Sequence, residues 1–310
     1  MYKNVKPIFF KAVSGIHAGT GSDLGLVDLP IQRERHSGLP KIESSGVKGC
    51  IRDEFEQIEK SDPETLPGDF IDIAFGPDNI GDKHSGSIAF TDARLLLFPV
   101  RSAKGVFAYA TCPYILNRLK EDFALAGIDI DSIDSCAGID NIDNNALVSS
   151  NKLIISNGKV ILEEYTIEAE ENDFAVKLAE KVAIWLKLDI SDYIKNNLII
   201  LSDNDFKDFA QNNTEIITRT RINNDTGTVV KGGLFTEELL PSETVMYSLV
   251  MTSKIFIDEE SKKTSETLKK AGSDDGKYLL DTISKNMPKY IQIGGNATIG
   301  KGLCRVSMGV

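Results

Sequence analysis

Asp28 stands in the run Val27-Asp28-Leu29-Pro30-Ile31-Gln32-Arg33-Glu34-Arg35-His36, and the residue types around it suit the handling of an anion. Gly15, Gly19, Gly21 and Gly25 lead into this run, and His17 lies eleven residues before Asp28. Ser44-Ser45-Gly46-Val47-Lys48-Gly49-Cys50-Ile51-Arg52 follows it. A carboxylate can hold a divalent cation or take a proton, an imidazole can pass a proton on, and guanidinium groups pair with phosphate oxygens. Gathered on a loop between a strand and a helix, such side chains sit where chemistry is commonly done, because the scaffold fixes a segment that stays open to ligands. A second segment, near the C-terminus, has four glycines within nine residues (Gly294, Gly295, Gly300, Gly302), with Lys301 among them. Glycines let a backbone approach a phosphate and present its N–H groups, and they equally suit a tight, bulged hairpin turn. The segment is neither a P-loop nor a dinucleotide fingerprint, since no Gly-Lys-Ser/Thr opens a helix and no GxGxxG precedes one. Nucleotide hydrolysis is thereby disfavoured.

The elements that must position these residues follow from local patterns. Val5–Val13 is apolar and β-prone and reads as a first strand. Ser44 or Ser45 can cap a helix whose apolar positions Val47, Ile51, Phe55 and Ile58 follow the helical period. Strands are expected over 86–98 and 105–111, then a helix from Pro113 to Ala126 with Gly127 just past its end. Asn157-Gly158 predicts a hairpin between 152–156 and 159–166. A helix over 173–186, a short strand at 198–201 and a short helix capped by Asp203 come next. A second hairpin joins 214–222 to 228–235, a long strand spans 244–257, and 265–285 is helical apart from a break near Gly272. Two last strands, 290–293 and 303–307, flank the glycine segment. The order strand, helix, strand, strand, helix, strand predicts an α+β fold with a ferredoxin-like sheet carrying insertions.

Composition bounds the class. The chain has 310 residues, 41% of them hydrophobic, enough for a sizeable core, and no apolar run of membrane-spanning length. Cys50, Cys112, Cys136 and Cys304 lie far apart, which argues against a zinc site or a disulfide framework, so a soluble, cytoplasmic protein is expected. The net charge of −11 would by itself disfavour nucleic acid, but the charges are segregated. Residues 121–143 hold seven acids and 163–173 six, with no Lys or Arg in either. Residues 31–52 carry five cations against two acids, and 285–305 four cations and no acid. An ordinary solvated surface and a single anion-binding face on an acidic body both fit this pattern.

Three features narrow the reading: the Ser-Ser-Gly-Val-Lys-Gly-Cys-Ile-Arg helix start at 44–52, Phe75-Gly76-Pro77, and the C-terminal glycine segment. Together they resemble the RAMP proteins of CRISPR systems. Val27–His36, Phe98-Pro99-Val100-Arg101-Ser102 and 222–241 extend the similarity toward the backbone subunits of type III-B Cmr effector complexes, members of the seventh Cas superfamily. The resemblance implies a single RAMP domain over 1–310 with an RRM-like, ferredoxin-like palm. It also implies an inserted helical and hairpin region near 113–212 and a protruding β-hairpin thumb near 214–241. It further implies binding of crRNA and target RNA, contacts with other Cmr subunits, self-association into a helical filament, and no membrane. The thumb would disrupt the guide–target duplex, and the target RNA would be cut beside each copy.

By the same resemblance Asp28 is the catalytic residue of an endoribonuclease. RNA carries its own nucleophile, the 2′-OH, so Asp28 could hold a divalent ion (Mg or Mn) that stabilises phosphate charge, or help deprotonate the 2′-OH. His17 is a candidate general acid or phosphate-orienting group, and Glu237 or Glu238 could complete the site. Arg33, Arg35, Lys48 and Arg52, with Gly294, Gly295 and Lys301, are candidate RNA-backbone contacts. A guide-loaded filament must accept any sequence, and phosphate contacts carry no sequence information. A non-catalytic RNA-binding scaffold and a crRNA-processing enzyme are the competing readings; three histidines (His17, His36, His84) suit the latter less well.

Overall fold

The computed structural model describes residues 2–22, 25–78, 84–128, 145–187 and 191–309. The acidic stretch 129–144, read from the sequence as a surface excursion, lies outside them.

The chain opens with strand β1 (Asn4–Ala12), the two-residue strand β2 (Lys41–Ile42) and helix α1 (Ser44–Ser61). Helix α2 (Phe70–Phe75) precedes strands β3 (Ile88–Phe90), β4 (Ala93–Arg101) and β5 (Phe107–Thr111), and helix α3 (Pro113–Leu125) follows. Then come β6 (Asn145–Val148), β7 (Lys159–Leu162), β8 (Tyr165–Glu171), α4 (Asp173–Trp185), α5 (Ser191–Asn197), β9 (Leu198–Ile200) and α6 (Asp203–Asn212). Strands β10 (Glu215–Ile222) and β11 (Val229–Leu239) make a separate two-stranded ribbon. The chain ends with β12 (Val245–Thr252), α7 (Glu259–Thr264), α8 (Glu266–Ala271), α9 (Asp275–Asn286), β13 (Tyr290–Gln292) and β14 (Leu303–Met308).

The sheet order β14-β1-β12-β4 is the ferredoxin-like arrangement. β12 pairs antiparallel with β1 and with β4, so β1, α1 and β4 form one split βαβ unit. β1 pairs antiparallel with β12 and with β14, so β12, α9 and β14 form the other. Beyond β4 the same sheet continues as β5-β9-β6-β8-β7, four of whose strands come from the segment between α3 and α6. The fold is therefore α+β, as the element order predicts.

Both faces of the palm are covered, which accounts for continuous apolar runs rather than alternation. Phe9 stacks on Trp185 of α4 with centroids 5.8 Å apart and meets Phe123 of α3 edge-on at 6.2 Å. Tyr247, paired with Phe9 across β1 and β12, meets the same Phe123. On α1, Val47, Ile51 and Phe55 are buried, and Phe55 packs against Phe70 and Phe75 of α2. Phe9 and Phe10 are wholly interior.

Four local expectations change. Neither Ser44 nor Ser45 caps α1: the Ser44 N–H donates to Asp92 Oδ1 at 2.9 Å, from a residue 48 positions later, while Lys41 Nζ holds Asp92 Oδ2. Asn157-Gly158 turns the chain, but the ladder runs between β7 and β8 and reverses at Glu163, whose φ is +50°. Ser202 rather than Asp203 caps α6, accepting from the Asp205 N–H. Residues 86–98 hold two strands, because β3 and β4 each pair with a different part of β12.

Burial pushes the Asp92 carboxyl up, but Lys41, the Ser44 N–H and Arg94 outweigh it and hold its pKa below the ordinary value. Its contribution to stability is therefore present above the unfolded carboxylate pKa of about 3.9 and is lost as the pH falls through the lower folded value. Asp92→Ala is expected to cost about 1–2 kcal/mol by chemical denaturation at neutral pH, a difference that shrinks in acid. Ser44→Ala should be nearly neutral; a larger cost there than at Asp92 would contradict the assignment of the cap.

Candidate active site

One edge of β11 pairs with β10, and the other receives the segment between β1 and β2. Leu240 and Ile16 exchange both backbone hydrogen bonds at 2.9 Å. Further along the same edge, the Leu29 N–H donates to Thr236 O and the Glu238 N–H donates to Leu29 O, each at 3.0 Å. The segment also folds on itself through a Gly19–Ile31 bridge and the Gln32 N–H to Ala18 O bond of 2.8 Å. This docking fixes Asp28 and His17 although both lie outside regular secondary structure.

Asp28 is exposed, and Thr236 holds it at three points. The Thr236 N–H and hydroxyl donate to Oδ2 at 2.7 and 2.9 Å, and the Asp28 N–H donates to the hydroxyl oxygen at 3.0 Å. Oδ1 accepts from no other described residue. The backbone N–H of Thr236, then its hydroxyl, keep the carboxyl below its ordinary pKa, so it stays anionic across the neutral range. A less basic carboxylate is a poorer proton acceptor and a better fixed charge or cation ligand.

His17 lies on the other side of the strand. Its Nδ1 is 2.8 Å from Glu238 O, and since a carbonyl only accepts, Nδ1 carries the hydrogen. Nε2 faces Glu237 Oε1 at 3.7 Å, and a methyl group on Gly19 would meet Nε2 at 2.5 Å, so the ring is enclosed. No hydrogen bond or ion pair joins His17 to Asp28 among the described residues. Strand alternation explains why: Thr236 and Glu238 project from one face of β11 and Glu237 from the other. The placement gives His17 a packing role and does not bring it to Asp28 for proton transfer.

Both glutamates are buried and occupied. Glu237 takes Arg219 Nη1 at 3.1 Å and Asn296 Nδ2 at 2.5 Å. Glu238 takes Arg33 Nη2 at 2.5 Å and Thr214 Oγ1 at 2.7 Å on one oxygen, and the Ile31 N–H at 3.0 Å on the other. Burial alone would raise its pKa, but the bonds from Thr214, Ile31 and Arg33 win and lower it. Neither glutamate has a free oxygen to offer Asp28. Each instead ties the Asp28 segment or the C-terminal loop to β11.

The candidate RNA contacts divide in two. Arg33 is spent on Glu238 and on the carbonyls of Gly38, Ala210 and Gln211, and Arg52 on Glu56, Asp78 and Gly76 O. Those two guanidinium groups therefore face protein rather than solvent, and Arg52 binds the carbonyl of Gly76, which adopts φ +97°. Arg35 is exposed, and Lys48 and Lys301 are partly exposed; none of the three forms an ion pair among the described residues. Burial, then the nearby Arg52 charge, pushes the Lys48 ammonium pKa down, so an added anion would relieve it. In the C-terminal loop the Gly295 N–H donates to His17 O and the Gly302 N–H to Gly15 O, both at 2.9 Å. The glycines serve a close approach of two loops, and the Gly295 N–H is not free for a phosphate.

No three His, Cys, Asp or Glu side chains gather into a metal cluster among the described residues. The donors present do not make a protein-built cage. One open carboxylate oxygen fits an ion that keeps most of its shell as water and substrate phosphate, as Mg²⁺ does. Thr236, Arg219, Thr214 and Asn296 were not foreseen, yet strand alternation through Thr236-Glu237-Glu238 would have separated the two glutamates.

A family model described as the RAMP superfamily matches residues 9–305, and the chain belongs to that superfamily. It is 37% identical to the CRISPR system Cmr endoribonuclease Cmr4 of Pyrococcus furiosus, over 94% of this chain and 91% of that protein. Within the superfamily the chain thus belongs to the Cmr4 family. The crystal structure of oligomeric Cmr4 from Pyrococcus furiosus shares 29% identity and superposes with a TM-score of 0.68, covering 98% of this chain and 97% of that one. A chain of the cryo-EM structure of the type III-B Cmr-beta complex bound to cognate target RNA, at 23% identity, shows the same fold with a TM-score of 0.72, covering 99% of this chain and 98% of that one.

The loop contact makes a stability prediction. Gly294 has φ +82°, and a methyl group there would lie 2.4 Å from His17 O, whereas Gly300, at φ +75°, has nothing within 4 Å. Gly294→Ala is expected to destabilise by about 2 kcal/mol or more and Gly300→Ala by about 1 kcal/mol. Equal thermal shifts for the two variants would contradict the close approach.

Proposed function

We propose that this chain is a crRNA-binding backbone subunit of a type III-B CRISPR effector complex and an endoribonuclease that cuts guide-paired target RNA through Asp28. The observation that carries the reading is the fixed, exposed carboxylate of Asp28, one oxygen saturated by Thr236 and the other open. Kinship with a protein named as a Cmr endoribonuclease, and fold likeness to subunits of a complex bound to target RNA, support it. A cytoplasmic location and assembly with other Cmr subunits belong to the same reading.

The RNA supplies the nucleophile. Its 2′-oxygen attacks the adjacent phosphorus, the bond from phosphorus to the 5′-oxygen breaks, the 2′-OH proton leaves and the departing 5′-oxygen gains one. Asp28, held anionic, is better suited to anchor positive charge beside the phosphate than to remove that proton. Its Oδ1 would hold a Mg²⁺ or Mn²⁺ ion, which when bound supplies neutralisation of phosphate charge. The β10–β11 ribbon serves as the thumb. Ile216, Ile222, Val229 and Leu234 are exposed on the face that also carries Thr236, an apolar wedge beside Asp28 for parting guide from target. Arg35, Lys48 and Lys301 contact RNA phosphates, and copies of the chain stack along the guide.

Two measurements check this. In the assembled complex with guide and labelled complementary RNA, Asp28→Asn is expected to slow cutting by about 100-fold or more while both RNAs still bind. Wild-type cutting by that variant, with divalent metal present, would sink the assignment. Removing the charge of Arg35, Lys48 or Lys301 should weaken RNA binding equally for all sequences and reduce the salt slope by about one per contact. A sequence-selective loss would overturn their role as phosphate contacts.

A further inference from the structure

Thr236 meets Asp28 in a way that does more than satisfy a carboxylate. Its hydroxyl touches Asp28 at two places, donating to Oδ2 at 2.9 Å and accepting from the backbone N–H at 3.0 Å. A group bound at both the main chain and the tip of one side chain fixes that side chain's rotamer, since rotation about χ1 breaks one bond or the other. The Thr236 N–H, at 2.7 Å, completes the coverage of Oδ2, so Oδ1 is the oxygen left to act. The hydroxyl sits on the ribbon strand beside Glu238, whose own oxygens hold Ile31 and Arg33 on the far side of Asp28.

We propose that Thr236 is the positioning residue for Asp28, its hydroxyl setting the carboxylate rotamer that presents Oδ1 to the scissile phosphate. The inference rests on the reading of Asp28 as the residue on which cutting depends. Thr236 touches no reacting atom; it acts through Asp28.

The test uses the complex assembled with guide RNA and partner subunits, measuring single-turnover cutting at saturating target. Thr236→Val keeps the shape and strand preference and removes the hydroxyl, and it is expected to cut roughly tenfold or more slowly, with unchanged target affinity. Thr236→Ser, which restores the hydroxyl, should recover most of the rate. Should the valine variant fail to assemble, Thr236→Ala removes the hydroxyl without the valine's bulk and is expected to show the same loss. Wild-type rate in the valine variant, or a serine variant as slow as the valine one, would overturn the proposal. Loss of cutting in Asp28→Asn alongside normal cutting in Thr236→Val would defeat this inference alone; normal cutting in Asp28→Asn would defeat the reading beneath it.

Discussion

The outer edge of β11 is the constraint on which the site depends. A two-stranded ribbon leaves a row of backbone N–H and C=O groups without partners on each side, and such an edge must be covered or left to water. Here the glycine-punctuated segment between β1 and β2 covers it, with Ile16 bonding to Leu240 and Leu29 to Thr236 and Glu238. The backbone bonds set the register, and the register sets which side chains meet. Thr236 lies under Asp28, the Glu238 carbonyl under His17, and the Glu238 carboxylate under the Ile31 N–H. Shifting the segment by one residue would lose all three contacts.

Electrostatics then sorts the charged groups by task. A buried carboxylate is costly unless its lone pairs are filled, and Glu237 and Glu238 are filled by Arg219, Asn296, Arg33, Thr214 and a backbone N–H. Those cations are thereby withdrawn from any role at the surface. Among the described residues Asp28 keeps one carboxylate oxygen open, and Arg35, Lys48 and Lys301 form no ion pair.

The palm and the ribbon were legible in the sequence because their signals are local. The Ile8-Phe9-Phe10 run, the helical period of Val47, Ile51 and Phe55, and the turn residues between 222 and 229 each lie within one element. The cap of α1 and the Arg33–Glu238 ion pair were not legible, because their partners are remote. Asp92 caps α1 from 48 residues away, and Arg33 meets Glu238 from 205 away. Charge counting placed Arg33 and Arg52 among the RNA contacts because a sequence shows an arginine's charge and not whether the fold has already used it. The C-terminal glycines were read as suiting either a phosphate or a tight turn, and the structure gives Gly294 and Gly302 a packing reason, the close approach of His17 O and Ile293 O, which a side chain would strike.

The most direct test of the account is where the side chain of residue 28 lies when target RNA is bound. A structure of the assembled complex carrying Asp28→Asn, held on a guide-paired target before cutting, is expected to place that side chain within about 3–5 Å of a target phosphate oxygen, in direct or single-water reach, with Thr236 still bonded to it. A nearest target phosphate beyond roughly 10 Å, further than one bridging water can span, would contradict the account.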